Sequence, residues 1–92
     1  MEEPKPGWRY LHFKGGEYEV IAVGRDCHNS GKKVVVYKQL YNSEHSKGTI
    51  LVRSLEDFLG DKKFEEDVVI NGRTYKTGEN VKRFILIPNI GC

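Results

Sequence analysis

The sequence predicts a mainly β fold: a small SH3-like barrel or roll of five to seven short antiparallel strands with one short helical turn. Three observations carry this. Runs of β-branched and aromatic residues recur at intervals of roughly ten residues, and turn formers separate them. Only one segment, Ser54 to Gly60, has helical spacing.

The elements follow in order. Residues 1 to 6 carry two prolines and no periodic pattern, so they read as a flexible tail ahead of a single domain over residues 7 to 92. Trp8 to Phe13 is rich in aromatic residues and suits a strand. Lys14-Gly15-Gly16 supplies the positive φ angles that a tight turn needs. In the second strand, Glu17 to Arg25, strict alternation puts Tyr18, Val20 and Ala22 on one face and Ile21 and Val23 on the other. Asp26 to Lys32 reads as the next turn, with Asn29-Ser30-Gly31 as its signal. Lys33 to Tyr41, with three consecutive valines, is the strongest strand signal. Asn42 to Gly48 is a polar turn, and Thr49 to Arg53 a fourth strand.

Ser54 can cap a helix, Glu56 and Asp57 suit its first turn, and Gly60 can stop it. Leu55, Phe58 and Leu59 stand at i, i+3 and i+4 and would press together onto the sheet. Asp61 to Asp67 reads as a charged connector. Val68 to Tyr75 reads as a hairpin around Asn71-Gly72, and Val81 to Ile87 as a last strand stopped by Pro88.

Composition narrows the function classes only a little. The 92 residues fit one domain, and the formal charge of +2 comes from 15 basic against 13 acidic side chains. Dedicated nucleic-acid binders show a larger basic excess. The two cysteines, Cys27 and Cys92, lack zinc or redox spacing, and Cys92, as the last residue, is expected to be exposed and mobile. The acidic, proline-broken start is unlike a signal peptide, and no apolar run is long enough to cross a bilayer. The expectation is a cytoplasmic monomer with no membrane association and no cofactor.

A series of motifs in order carries a resemblance. They are Trp8-Arg9-Tyr10-Leu11-His12-Phe13-Lys14-Gly15 with Tyr18-Glu19-Val20, Val35-Val36-Tyr37 with Leu40-Tyr41, Leu51 to Phe58, and Val81-Lys82-Arg83-Phe84. Together they resemble the bacterial DUF1653 family, a domain of unknown function. The resemblance covers residues 7 to 60, resumes at 81, and implies an SH3-like β roll without implying an activity. Leu51 stands where that family usually has Trp, Ser54 where it usually has Pro, and the Asp61 to Asn80 segment is longer than usual.

No catalytic motif is present, so the candidate site is a polar-aromatic face. Alternation places Trp8, Tyr10 and His12 on one side of the first strand, and Tyr37 and Tyr41 on one side of the third. If the hairpins register suitably, Tyr10, His12, Tyr18, Tyr37 and Arg53 converge on a shallow groove. Aromatic rings beside a cation suit bases, prolines or methylated amines. The competing reading is that half of these rings fill the core.

Lys14, Lys32, Lys33, Lys38 and Lys47 would border one end of the barrel, Lys14 next to turn glycines whose amides suit phosphate; edge protection is the plainer explanation. Arg53 at a strand end just before the capped turn can bridge to Glu56, which is usually architectural, or equally anchor an anionic ligand. His12, His28, His45 and Cys27 form no metal or catalytic pattern in the sequence.

Three hypotheses follow. The first is a non-catalytic binding or adaptor domain, its ligand nucleic acid, a peptide or a small polar molecule in that order. The second is a small enzyme or metal-binding protein using His12 or Cys27. The third is a structural accessory subunit docking on another protein.

Overall fold

The computed structural model describes residues 3–88, so Cys92 and its expected mobility lie outside the described residues. The order is β1 (Arg9–His12), β2 (Glu17–Asp26), β3 (Asn29–Gln39), β4 (Ile50–Ser54), α1 (Leu55–Leu59), β5 (Asp61–Lys63), β6 (Val68–Ile70), β7 (Arg73–Tyr75), β8 (Asn80–Lys82) and β9 (Phe84–Ile87). The mainly β class with one helical turn is as expected. Five strands form an antiparallel sheet in the order β4-β3-β2-β1-β9, and two ribbons, β5-β8 and β6-β7, stand beside it. The five-stranded ladder is open, with β4 and β9 at its edges.

The described residues contain nine strands where five to seven were expected. The charged Asp61–Lys63 stretch is not a connector, because it pairs with Asn80–Lys82. The expected strand Val81 to Ile87 is broken at Arg83. Its N–H leaves the ladder for the carbonyl of Gly60, 3.1 Å away, and its Nη1 donates to the Asp57 carbonyl at 2.9 Å.

Two further expectations need correction. The β2–β3 turn falls at Cys27–His28, with Asp26 paired to Asn29, so Asn29 to Gly31 already belong to β3. A carboxylate oxygen of Asp26 accepts from the His28 N–H at 2.9 Å, an Asx-type turn that competes well with the Asn-Ser-Gly signal. The register between β2 and β3 also shifts between Val20 and Ala22, so Ile21 is the extra residue of a bulge. Val20 pairs with Tyr37, but Val23, not Ala22, then shares a face with Val35. Alternation resumes one residue later.

The inner face of the sheet carries the core. Tyr10, Val20, Val35, Tyr37, Phe58 and Phe84 form one buried cluster, with Trp8, Tyr18, Val23, Leu51, Leu55 and Leu59 packed against it. Phe58 comes from α1, whose N-cap Ser54 accepts from the Asp57 N–H at 3.1 Å. The helix ends at Gly60, which is extended and donates its N–H to the Asp57 carbonyl at 3.2 Å, and a Cβ at that position would lie 2.9 Å from the Glu56 carbonyl. Burying a phenylalanine ring this completely contributes about 2 to 3 kcal/mol. Ahead of β1, Pro4 is buried, and Glu3 pairs with Lys33 at 2.7 Å.

The 61–80 segment builds a second, smaller core. Phe64 and Tyr75 stack at 4.5 Å, both buried, and Phe13 meets them edge-on. At the hairpin tip, Asn71 and Gly72 both have positive φ, as a primed turn demands. The Asn71 amide nitrogen donates to the Lys14 carbonyl, tying this hairpin to the β1–β2 turn.

Candidate functional site

Phe84, at the start of β9, organises the site. Phe58 stacks on one face of its ring at 4.2 Å, nearly parallel, so the Arg53 guanidinium over the ring at 5.6 Å occupies the other. Tyr18, Tyr37 and His12 meet Phe84 in edge-on geometry, at 5.7, 5.7 and 4.9 Å. The registers explain the meeting. His12 pairs with Phe84, Val35 with Arg53 and Tyr18 with Gln39, and all of them belong to the inner face.

Arg53 is the unusual member. Its Nε donates to the Tyr37 hydroxyl at 3.3 Å. The bridge to Glu56 does not form, because Glu56 meets Lys32 at 3.3 Å instead. Arg53 is half-buried, and among the described residues it makes no ion pair. An arginine lying on an aromatic face and held through Nε keeps its Nη edge available for an acceptor.

His12 stands in the same electrostatic surroundings. Its Nδ1 accepts from the Lys14 N–H at 3.1 Å, which leaves Nε2 as the protonated nitrogen of the neutral ring. Burial, and then the positive charges of Arg53, Lys14 and Arg83, hold its pKa down to about 4. The ring is therefore neutral at physiological pH. Among the described residues no carboxylate ion-pairs with Lys14, whose ammonium lies 5.9 Å from the Phe13 ring centre. The groups gathered here are hydrogen-bond donors.

Tyr18 and Tyr41 extend the site sideways. Their hydroxyls lie 2.6 Å apart, and burial followed by this hydrogen bond raises the Tyr18 pKa well above the usual phenol range. The Tyr41 ring covers the backbone of Gly16, where a Cβ would come within 2.2 Å of it. Buried Gln39 holds the loop that carries Tyr41, donating from Nε2 to the carbonyls of Tyr41 at 2.6 Å and His45 at 2.7 Å. Beyond Tyr41 opens a shallow groove of about 370 Å³, lined also by Lys14, Gly15, Gly16, Glu17, Leu40 and Asn71.

Of the expected site residues, His12, Tyr18, Tyr37 and Arg53 come together, and Tyr41 and Lys14 border the same region. Tyr10 does not take part: it is 4% exposed, edge-on to Phe58, and is a core ring. Tyr37, also 4% exposed, contributes its hydroxyl rather than a ring face. Phe84, Arg83 and Gln39 are additions. Phe84 had a sequence signal as the first aromatic after the Val81-Lys82-Arg83 run.

The basic residues do not form one end patch. Lys33 is bound to Glu3, Lys32 to Glu56, and Lys38 pairs across the ladder with Glu19 and Ile50. Cys27, His28 and His45 are exposed, Cys27 and His28 at a hairpin tip away from His12. Among the described residues no group of three or more metal-ligating side chains gathers, and no helix is long and apolar enough to cross a membrane.

The family model described as Protein of unknown function (DUF1653) matches residues 8–85, which takes in every residue of this cluster. The chain belongs to that family. No curated protein and no solved structure matches the chain. The family description assigns no activity, so the chemistry of the cluster has to carry the functional reading.

Proposed function

We propose that this DUF1653 protein is a non-catalytic binding domain that reads an anionic ligand with the Arg53, His12 and Tyr18 edge of its inner face. The observation that carries the reading is the half-buried Arg53 guanidinium, stacked on Phe84 and bonded to Tyr37 without a carboxylate partner among the described residues. Holding a charge in that position costs desolvation energy, which a purely architectural arginine usually recovers by pairing. His12 Nε2–H and the Lys14 ammonium add donors and no acceptors. An acceptor-only group, a phosphate or a carboxylate, complements that set. Nucleic acid is the preferred ligand class, ahead of an acidic peptide and a small polar anion. The setting we assign is the cytoplasm, with the protein as a monomer.

The test is an amide-shift titration with a single-stranded oligonucleotide, an acidic peptide and inorganic phosphate. Movement of the Arg53, His12 and Phe84 signals, weakening as salt rises, is the expected result. Silence of those signals toward all three ligands removes the proposal.

A structural accessory role is the second reading, favoured by Ile50 and Val52 on edge strand β4, which are 52% and 63% exposed. Its expected signature is co-purification through that edge. An Arg53 variant that leaves such an interaction unchanged would separate it from the first reading.

A further inference from the structure

We propose that the groove beside Tyr41 is a nucleotide subsite, contiguous with the Arg53 anion site, so that a single strand of nucleic acid occupies both. This rests on the binding role proposed above and adds what the ligand is and how far it reaches.

The groove and the Arg53 cluster share a wall. Arg53 bonds the Tyr37 hydroxyl, Tyr37 meets Tyr18 at 5.3 Å between ring centres, and Tyr18 shares its hydroxyl hydrogen bond with Tyr41, which lines the groove. The half-buried Tyr18 and Tyr41 rings carry this wall, with the buried Tyr37 linking Tyr18 to Arg53 from beneath. The groove presents a ring, a cation and a carboxylate, from Tyr41, Lys14 and Glu17, with the Glu17 carboxylate setting where along the rim a phosphate can sit. Tyr41 offers a ring immobilised against Gly16 and by its bond to Tyr18. Lys14 offers an ammonium outside any ion pair among the described residues. The Asn71 amide and the Tyr41 ring close over Gly15 and Gly16, so side chains rather than bare backbone form this part of the wall.

A ring for a base beside a cation for a phosphate is the pairing from which single-strand binding surfaces are built. The volume, about 370 Å³, falls in the lower range of small-ligand sites and suits one nucleotide unit rather than a duplex. The opposite wall comes from the 61–80 segment, whose Asn71 amide is fastened to the Lys14 carbonyl. That fastening keeps the groove in place without a ligand. A peptide is a poorer complement, because Leu40 is the one aliphatic side chain lining the groove and no open strand edge borders it.

The experiment compares thymidine monophosphate, tetrathymidylate, inorganic phosphate and a phosphoserine peptide of matched charge, each titrated into the full chain. The variants are Tyr41→Leu and Lys14→Gln. Tetrathymidylate is expected to bind about tenfold more tightly than the mononucleotide, with amide shifts at Gly15, Gly16 and Asn71 as well as Arg53. Tyr41→Leu removes most of that gain, and Lys14→Gln removes part of it and flattens the salt dependence. Inorganic phosphate binding at Arg53 stays the same in Tyr41→Leu and weakens in Lys14→Gln, whose ammonium belongs to both sites.

Equal affinity for one and four thymidines, or a gain that survives Tyr41→Leu, overturns the subsite while phosphate binding keeps the anion reading alive. A phosphoserine peptide that matches tetrathymidylate and moves the same amides overturns the nucleotide assignment. Failure of every ligand to bind overturns both.

Discussion

Arg53 and Glu56, three positions apart at the start of α1, do not meet: the arginine turns inward to the Tyr37 hydroxyl while the glutamate turns outward to Lys32. That divergence leaves a cation in an aromatic setting. Replacing Arg53 with leucine should abolish binding of inorganic phosphate or oligonucleotide. Replacement with lysine should weaken it roughly tenfold, because charge remains but the planar fork is lost. Stability should change by only about 1 kcal/mol, the worth of one hydrogen bond to Tyr37. A large loss of stability with unchanged binding would make Arg53 architectural.

His12 gives the domain a dependence on pH with a definite sign. Its pKa lies near 4 in the folded chain and at 6.5 in the unfolded one. Between those values the unfolded chain binds more protons, so stability falls as pH drops from 6.5 toward 4 and levels off below. For a ring that is half exposed, the loss after solvent screening should be about 1 to 2 kcal/mol. Urea midpoints across that window, with His12→Phe as the control that lacks this component, measure it. Anion binding near the ring should also raise its titration midpoint.

Gly16→Ala should be disproportionately harmful for a turn-adjacent residue. The new methyl group meets the Tyr41 ring at 2.2 Å, so the ring must leave, and the hydroxyl bond to Tyr18 goes with it. A cost of about 1 to 3 kcal/mol is expected. The Tyr18 phenol should then titrate closer to its ordinary range, though not fully, since burial is the larger cause of its elevation. Phenolate absorbance on raising the pH reports this directly.

Gln39→Leu tests the support beneath Tyr41. The substitution removes the donor that satisfies the carbonyls of Tyr41 and His45. Expected consequences are a loss of about 2 to 3 kcal/mol and faster amide exchange through residues 41 to 48. Unchanged exchange there would show that Gly48 N–H to the Gln39 carbonyl, at 2.8 Å, holds the loop alone.

Much of this architecture is legible in local chemistry. The valines of β3, the Ser54 cap and the Asn71-Gly72 turn each state their structure within a few residues. The β5–β8 pairing is not legible, because Asp61-Lys62-Lys63 looks like solvated linker and finds its partner only through the tertiary fold. The site was half readable. Alternation puts His12 with Tyr10, yet one belongs to the ligand-facing edge and the other to the core, and only the packing of α1 against Tyr10 distinguishes them. Phe84 escaped notice as the hub because its importance lies in neighbours from β1, β2, β3, β4 and α1.

The bulge at Ile21 means that β2 is two half-strands out of phase. Cutting out that single residue would leave Val20, Ala22 and Val23 opposite Tyr37, Val36 and Val35 in an unbroken ladder, with Val23 still facing inward. Losing Val23 instead would set Gly24 opposite Val35, so that deletion should be far more damaging than an insertion of several residues between Asn42 and Lys47. The domain's tolerance to length change is set by parity along β2 rather than by how exposed a position is.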